Sequence, residues 1–202
     1  GPGGPSATVG LAATGREDRE PREVVRVVAG PAVELPLPAE RDLRGAPPRA
    51  GECAGDGCDS VGVAPAADGA VDAQGADLVR SAVDGYDALL MGSGMGQAPG
   101  VTGFLRALLA HPSLPPTLLD ADALNTLARI DEWPRLLPPQ CVLTPHPAEF
   151  SRLLGVSLEQ VGAQRWELAR EAAARWKCVL LVKGPYTVVA APDGALAVLP
   201  IA

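Results

Sequence analysis

Beyond about residue 70, short apolar runs alternate with longer stretches patterned at helical spacing. Residues 88–91 (ALLM), 141–143 (CVL) and 179–182 (VLLV) are wholly apolar and of strand length. Such runs predict strands buried on both faces, as in a parallel sheet. A further apolar run over 116–119 stops at Asp120. Between the runs, 101–110 predicts a helix, and 149–154 predicts the opening of another after Thr144, Pro145 and Pro147 end the preceding strand. Ser157 to Gln160 reads as a capping box that starts a helix over 158–177. Its Val161, Leu168, Ala172 and Trp176 form a stripe suited to a sheet. Residues 187–191 and 195–199 flank Pro192-Asp193-Gly194, a hairpin signal. Trp166 and Trp176 read as packing residues, Trp133 as part of a loop, and His111 as a helix end without a chemical role. Alternating strands and helices predict an α/β fold with a mostly parallel sheet and helices on its faces.

The polar residues where the apolar runs stop are the candidate chemistry. Open α/β sheets place ligands outside the carboxyl ends of their strands. After 141–143 comes Thr-Pro-His-Pro-Ala-Glu, which offers His146 and Glu149 to such a crevice. The plainer alternative is that His146 caps the next helix and Glu149 complements its positive end. After 116–119 come Asp120, Asp122 and Asn125, where one aspartate alone would read as an N-cap. After 88–91 come Gly92, Gly94 and Gly96, which let backbone approach a ligand and leave N–H groups free for it. They do not form a GxGxxG dinucleotide fingerprint. After 179–182 come Lys183 and Gly184, suited to a phosphate, although a lone lysine can equally snorkel off the sheet rim.

Composition narrows the class. The 202 residues are 47% hydrophobic, enough for one sizeable core. A net charge of −7 argues against a nucleic-acid partner. No run is long enough to span a membrane and no signal peptide opens the chain, so a cytoplasmic protein is expected. Cys141 and Cys178 fall in predicted buried strands as reduced core thiols. Cys53 and Cys58 share a glycine-rich loop without a second ligand pair, so no zinc site is expected. Residues 1–70 are rich in Gly, Pro and Ala, with only 23–29 resembling a strand or short helix. They are expected to be poorly ordered or non-native, and residues 71–202 to form a partial domain.

Four segments in this order, MGSGMG, LLDADALN, LTPHPAEFSRLLG and LLVKGPYTVVAAPDG, resemble the nucleotide-dependent NAD(P)H-hydrate dehydratases. LTPHPAEF is the most specific of them. MGSGMG departs from the family's usual GPGLG at Ser93 and Met95. The resemblance implies a ribokinase-like three-layer α/β/α sandwich, incomplete at both ends. It implies ADP or ATP with Mg²⁺ as cofactors, NAD(P)H hydrate as substrate, and compatibility with a homo-oligomer. By the same resemblance Gly94, Gly96, His146 and Glu149 line the hydrate site, and Asp122 and Asn125 border that crevice. Lys183, Gly184, Pro185, Tyr186 and Thr187 hold the nucleotide phosphates. No protein cage for the metal is recognisable.

The family carries a Gly-Thr/Ser-Gly-Asp motif after the hairpin, whose aspartate is the catalytic base. No such motif occurs in residues 1–202. A truncated member without its catalytic base, or the product of a shifted reading frame, is therefore expected. The alternatives are a ribokinase-fold kinase of a small alcohol, of the hydroxymethylpyrimidine or thiazole type, and a nucleotide-binding fragment without activity.

Overall fold

A computed structural model describes residues 24–29, 58–63, 73–83 and 86–200. Eight strands form one sheet in the order β2-β1-β3-β4-β5-β6-β7-β8. These are β1 (Val24–Ala29), β2 (Cys58–Val63), β3 (Ala88–Met91), β4 (Thr117–Leu119), β5 (Cys141–Leu143), β6 (Val179–Val182), β7 (Tyr186–Ala190) and β8 (Leu196–Pro200). β1 to β6 run parallel, and the β6–β7–β8 meander closes the edge antiparallel. The helices are α1 (Ala73–Val83), α2 (Pro99–Leu109), α3 (Ala121–Leu127), α4 (Pro147–Leu154), α5 (Leu158–Ala163) and α6 (Arg165–Trp176).

The predicted apolar runs are the central strands, and the hairpin forms around its Asp-Gly turn. Two described strands lie before residue 70, the first of them within the segment read as a strand or short helix. β1 enters the sheet beside β3, with Val27 fully buried, and β2 covers its far side. Cys58, expected in a loop, opens β2; Cys53 lies outside the described residues. The helix predicted over 158–177 is two helices. Its backbone breaks at Gln164 (φ −130°, ψ 31°), two residues after Gly162, where helix propensity is weak. The halves bury separate anchors: Val161 from α5, and Ala169, Ala172, Ala173 and Trp176 from α6.

Alternation along the strands separates two faces. Leu89, Met91, Leu119, Leu143, Leu180 and Val182 are fully buried with α2 residues Phe104, Leu105 and Leu108. Leu90, Leu118, Val142 and Leu181 point to the opposite face and remain half-buried. Trp133, predicted in a loop, sits in a 3₁₀ turn (Trp133–Leu136) and meets Trp176 edge-on, their centroids 4.6 Å apart. Phe150 approaches Trp176 from α4 at 6.1 Å. This aromatic cluster fixes α4 against α6 and so holds the start of α4 at the carboxyl edge of the sheet. No described helix is long and apolar enough to cross a membrane.

Candidate active site

The carboxyl ends of β3 to β6 are joined by main-chain hydrogen bonds that continue past the strands. The Asp120 N–H donates to Met91 O (3.0 Å), Thr144 N–H to Leu119 O (3.1 Å), and Lys183 N–H to Pro145 O (2.9 Å). Residues following four successive strands are thus fixed as one rim.

The glycine turn closes one end. Gly92 has φ +132°, and a Cβ built there would collide with the Asp120 carbonyl. Only glycine lets β3 and β4 meet this closely. Gly94 and Gly96 also have positive φ (76° and 75°) but face open space. Gly96 donates its N–H to Asp122 Oδ2 (2.9 Å), and Gln97 Nε2 donates to Asp122 Oδ1 (2.8 Å). Asp122 follows Ala121, whose φ of 47° is costly for a residue with a side chain. That conformation turns the Asp-Ala-Asp segment so that its carboxylates serve two sides. Asp122 holds the glycine turn, while Asp120 accepts from Ala121 N–H (2.8 Å) and from Lys183 Nζ (2.6 Å). The Lys183 and Asp120 side chains remain 41% and 28% exposed, so a ligand can reach the pair.

His146 and Glu149 form the capping arrangement named above as the plainer alternative. His146 Nδ1 accepts from Ala148 N–H (3.1 Å) and Glu149 N–H (3.3 Å), while the buried Glu149 carboxylate accepts from His146 N–H (2.8 Å). With Nδ1 an acceptor, the proton of the neutral ring lies on Nε2, which is 3.3 Å from Glu149 Oε1. The half-exposed ring edge is what remains for a ligand. Asn125 accepts from Arg152 Nη1 (2.8 Å), linking α3 to α4.

At the far end, Gly184 faces a residue that local pattern did not reveal. The Arg165 guanidinium, from the first turn of α6, lies where a Gly184 side chain would project. Arg165 Nε is buried and has no hydrogen-bond partner. Thr187 Oγ1 donates to Gly184 O (3.1 Å), which tightens the turn. Pro185 and Tyr186 are exposed beside it, and no side-chain bond ties them to the rest of the rim. Gln97 and Arg165 therefore join the residues expected from the sequence. Asp120 and Gly92 stood in the right segments, whereas Arg165 reaches the rim only through the break at Gln164. The groove beside the glycine turn, about 540 Å³, is lined by Gln97, Asn125, Ala128, Arg129 and Arg152.

The profile of a family described as NAD(P)H-hydrate dehydratase matches residues 61–201. The bifunctional NAD(P)H-hydrate repair enzyme of Salinibacter ruber is 43% identical over 137 residues, which are 67% of this chain and 23% of that one. The ADP-dependent (S)-NAD(P)H-hydrate dehydratase of Neisseria meningitidis is 40% identical over 110 residues, 53% of this chain and 37% of that one. The chain thus spans about a quarter to just over a third of these curated relatives. Among solved structures, the Bacillus subtilis ADP/ATP-dependent NAD(P)H-hydrate dehydratase co-crystallised with ATP/Mg²⁺ and soaked with CoA aligns with a TM-score of 0.54. The alignment covers 91% of this chain and 67% of that one at 22% identity, a likeness of fold. A ribokinase-like superfamily protein of Enterococcus faecalis aligns at a TM-score of 0.50 and 21% identity over 66% of this chain and 43% of that one. The fold is ribokinase-like, and with its family profile matched over most of its length, the chain belongs to the NAD(P)H-hydrate dehydratase family.

Proposed function

We propose that the domain to which this chain belongs uses ADP or ATP to dehydrate NAD(P)H hydrate, and that this chain supplies nucleotide and substrate contacts. The observation that carries the reading is the Lys183–Asp120 pair beside Gly184 and Arg165. It offers a reachable ammonium in the residue before Gly184, where the Arg165 guanidinium occupies the space of the missing side chain. That donor set fits a phosphate: the nucleotide would compete with Asp120 for Lys183 and lie beside the Arg165 guanidinium. Mg²⁺ would enter with the phosphates and spread their charge, with Asp120 and Asp122 the rim carboxylates able to meet it. No group of three metal-ligating side chains occurs among the described residues.

In the proposed reaction the hydrate's hydroxyl oxygen bonds to the terminal phosphorus while the bond to the leaving nucleotide breaks and the hydroxyl proton passes to a base. Loss of phosphate with a ring proton then restores the dihydropyridine double bond. Catalysis of the first step rests mainly on positioning and charge stabilisation. Lys183 and Arg165 hold the transferring end. Gly96, Asp122, Asn125 and the exposed edge of His146 wall the hydrate. The base that the family's glycine-rich motif provides is not among residues 1–202. That observation favours a second reading for these residues alone, nucleotide binding without turnover.

Calorimetry with ADP, coupled to recovery of dihydropyridine absorbance from NADH hydrate, separates the two. ADP binding with recovery supports dehydration by these residues, and binding alone supports the second reading. Lys183→Ala should weaken ADP at least about tenfold, the loss of one charge-assisted contact. Unchanged affinity would remove Lys183 from the phosphate site and the proposal with it.

A further inference from the structure

Arg129 and Arg152 are the described arginines held by neutral side-chain oxygens rather than by a carboxylate. Arg80 pairs with Asp77 and Arg135 with Glu132, each within one helical turn. Neither Arg129 nor Arg152 meets a carboxylate among the described residues, in a chain whose net charge is −7. Both are nevertheless held in place, by neutral oxygens. Arg129 Nη1 donates to Gln97 Oε1 (2.6 Å) and its Nη2 to Thr126 Oγ1 (3.3 Å). Arg152 Nη1 donates to Asn125 Oδ1 (2.8 Å). A side-chain amide orients a guanidinium without cancelling its charge, and the remaining N–H groups of each fork stay available. The two side chains come from different elements and line the same groove of about 540 Å³.

The groove is connected to the rim by a short relay. Arg129 binds Gln97, Gln97 binds Asp122, and Asp122 binds the Gly96 N–H. Arg152 binds Asn125, one turn along α3 from Asp122. A molecule seated at the glycine turn would therefore extend an attached anionic group toward two fixed cations that form no direct ion pair among the described residues.

We propose that Arg129 and Arg152 form an anion subsite that grips a phosphate group of the dinucleotide, apart from the nucleotide phosphates at Lys183. Assigning the anion to a dinucleotide rests on the function proposed above; the subsite itself rests only on the groove. A guanidinium fork matches phosphate oxygens bidentately, and each such contact is strong enough to set affinity. The anion is either the bridging pyrophosphate or a 2′-phosphate, and the two are separable by experiment.

Calorimetric titration of the full chain with inorganic pyrophosphate, in a Lys183→Ala background that silences the other phosphate site, is the deciding measurement. Parallel titrations use NADH and NADPH. Arg129→Ala and Arg152→Ala should each weaken pyrophosphate by about tenfold or more. The neutral Arg129→Gln and Arg152→Gln, which keep much of the side-chain stem, should do the same if either alanine variant folds poorly. Equal loss for NADH and NADPH would assign the groove to the bridging pyrophosphate, and loss confined to NADPH to the 2′-phosphate; either supports the subsite. Arginine-dependent pyrophosphate binding without binding of either dinucleotide keeps the subsite and removes the nicotinamide reading. Pyrophosphate affinity indifferent to both arginines, or no pyrophosphate binding at all, overturns the inference.

Discussion

Gly92→Ala tests whether the rim is held by contact between strand ends rather than by the sheet alone. The substitution meets two obstacles. A side chain at φ +132° costs about 1–3 kcal/mol in backbone strain. The new Cβ would also overlap the Asp120 carbonyl oxygen, at 2.7 Å from its carbon and 3.1 Å from its nitrogen. Both strand ends are main chain, so relief requires moving them apart. That strains the Asp120 N–H bond to Met91 O and the Ala123 N–H bond to Asp120 O, at roughly 0.5–1.5 kcal/mol each. The sum is about 2–6 kcal/mol, or roughly 4–24 °C in melting temperature for a domain of this size. Gly94→Ala is the matched control, with φ +76° and nothing within 4 Å of the added methyl. It should cost only the left-handed penalty of about 1–2 kcal/mol. Thermal melts of both variants decide the matter by their order. If Gly92→Ala melts at or above Gly94→Ala, the close approach of β3 to Asp120 does not hold the rim.

Gly184→Ala should behave unlike Gly92→Ala, because its Cβ meets the far end of the flexible Arg165 side chain instead of backbone. Melting should shift by less than about 4 °C while ADP affinity falls, and unchanged affinity would free Arg165 from the phosphate site. His146→Asn keeps an N-cap acceptor whereas His146→Ala removes it, so only the alanine variant should lose about 1 kcal/mol in urea unfolding. Equal losses would mean that the capping box does not carry the stability of α4. Burial pushes the Cys178 thiol up to about 12 from an ordinary value of 9.0. The unfolded chain therefore releases a proton between those values that the fold retains, and stability falls as pH rises, by up to about 1.4 kcal/mol per unit from this thiol. Urea midpoints should decline above pH 9 and decline less steeply in Cys178→Val; an equally steep decline would refute the assignment.

The core strands were legible because both faces carry apolar side chains, buried on one and half-buried on the other, which leaves the apolar runs at 88–91, 141–143 and 179–182 as plain signals. β2 was not legible. Its sequence, CDSVGV, is neither continuously apolar nor cleanly alternating, and its place beside β1 is set by the growing sheet rather than by its own propensity. The break at Gln164 was hidden for a related reason. The capping box and the apolar stripe were both present, and only the need to bury Val161 and Trp176 in different places shows that they belong to two helices.

The site divides along the same line. Residues that end a strand, such as Lys183 after β6 and Asp120 after β4, which meet across the end of β5, could be found from pattern because topology alone gathers strand ends. The roles of Gln97, Arg129 and Arg165 depend on helices whose exact crossing no local pattern encodes. His146 is the instructive case between these. Sequence offered it as a ligand contact or as a cap, and the structure forms the cap while leaving 47% of the side chain exposed. Spending Nδ1 on two backbone N–H groups, with Nε2 3.3 Å from the buried Glu149 Oε1, fixes the ring and leaves its exposed edge to the crevice. A cap of this kind also positions, so the two readings of His146 are one structure seen from the helix and from the crevice.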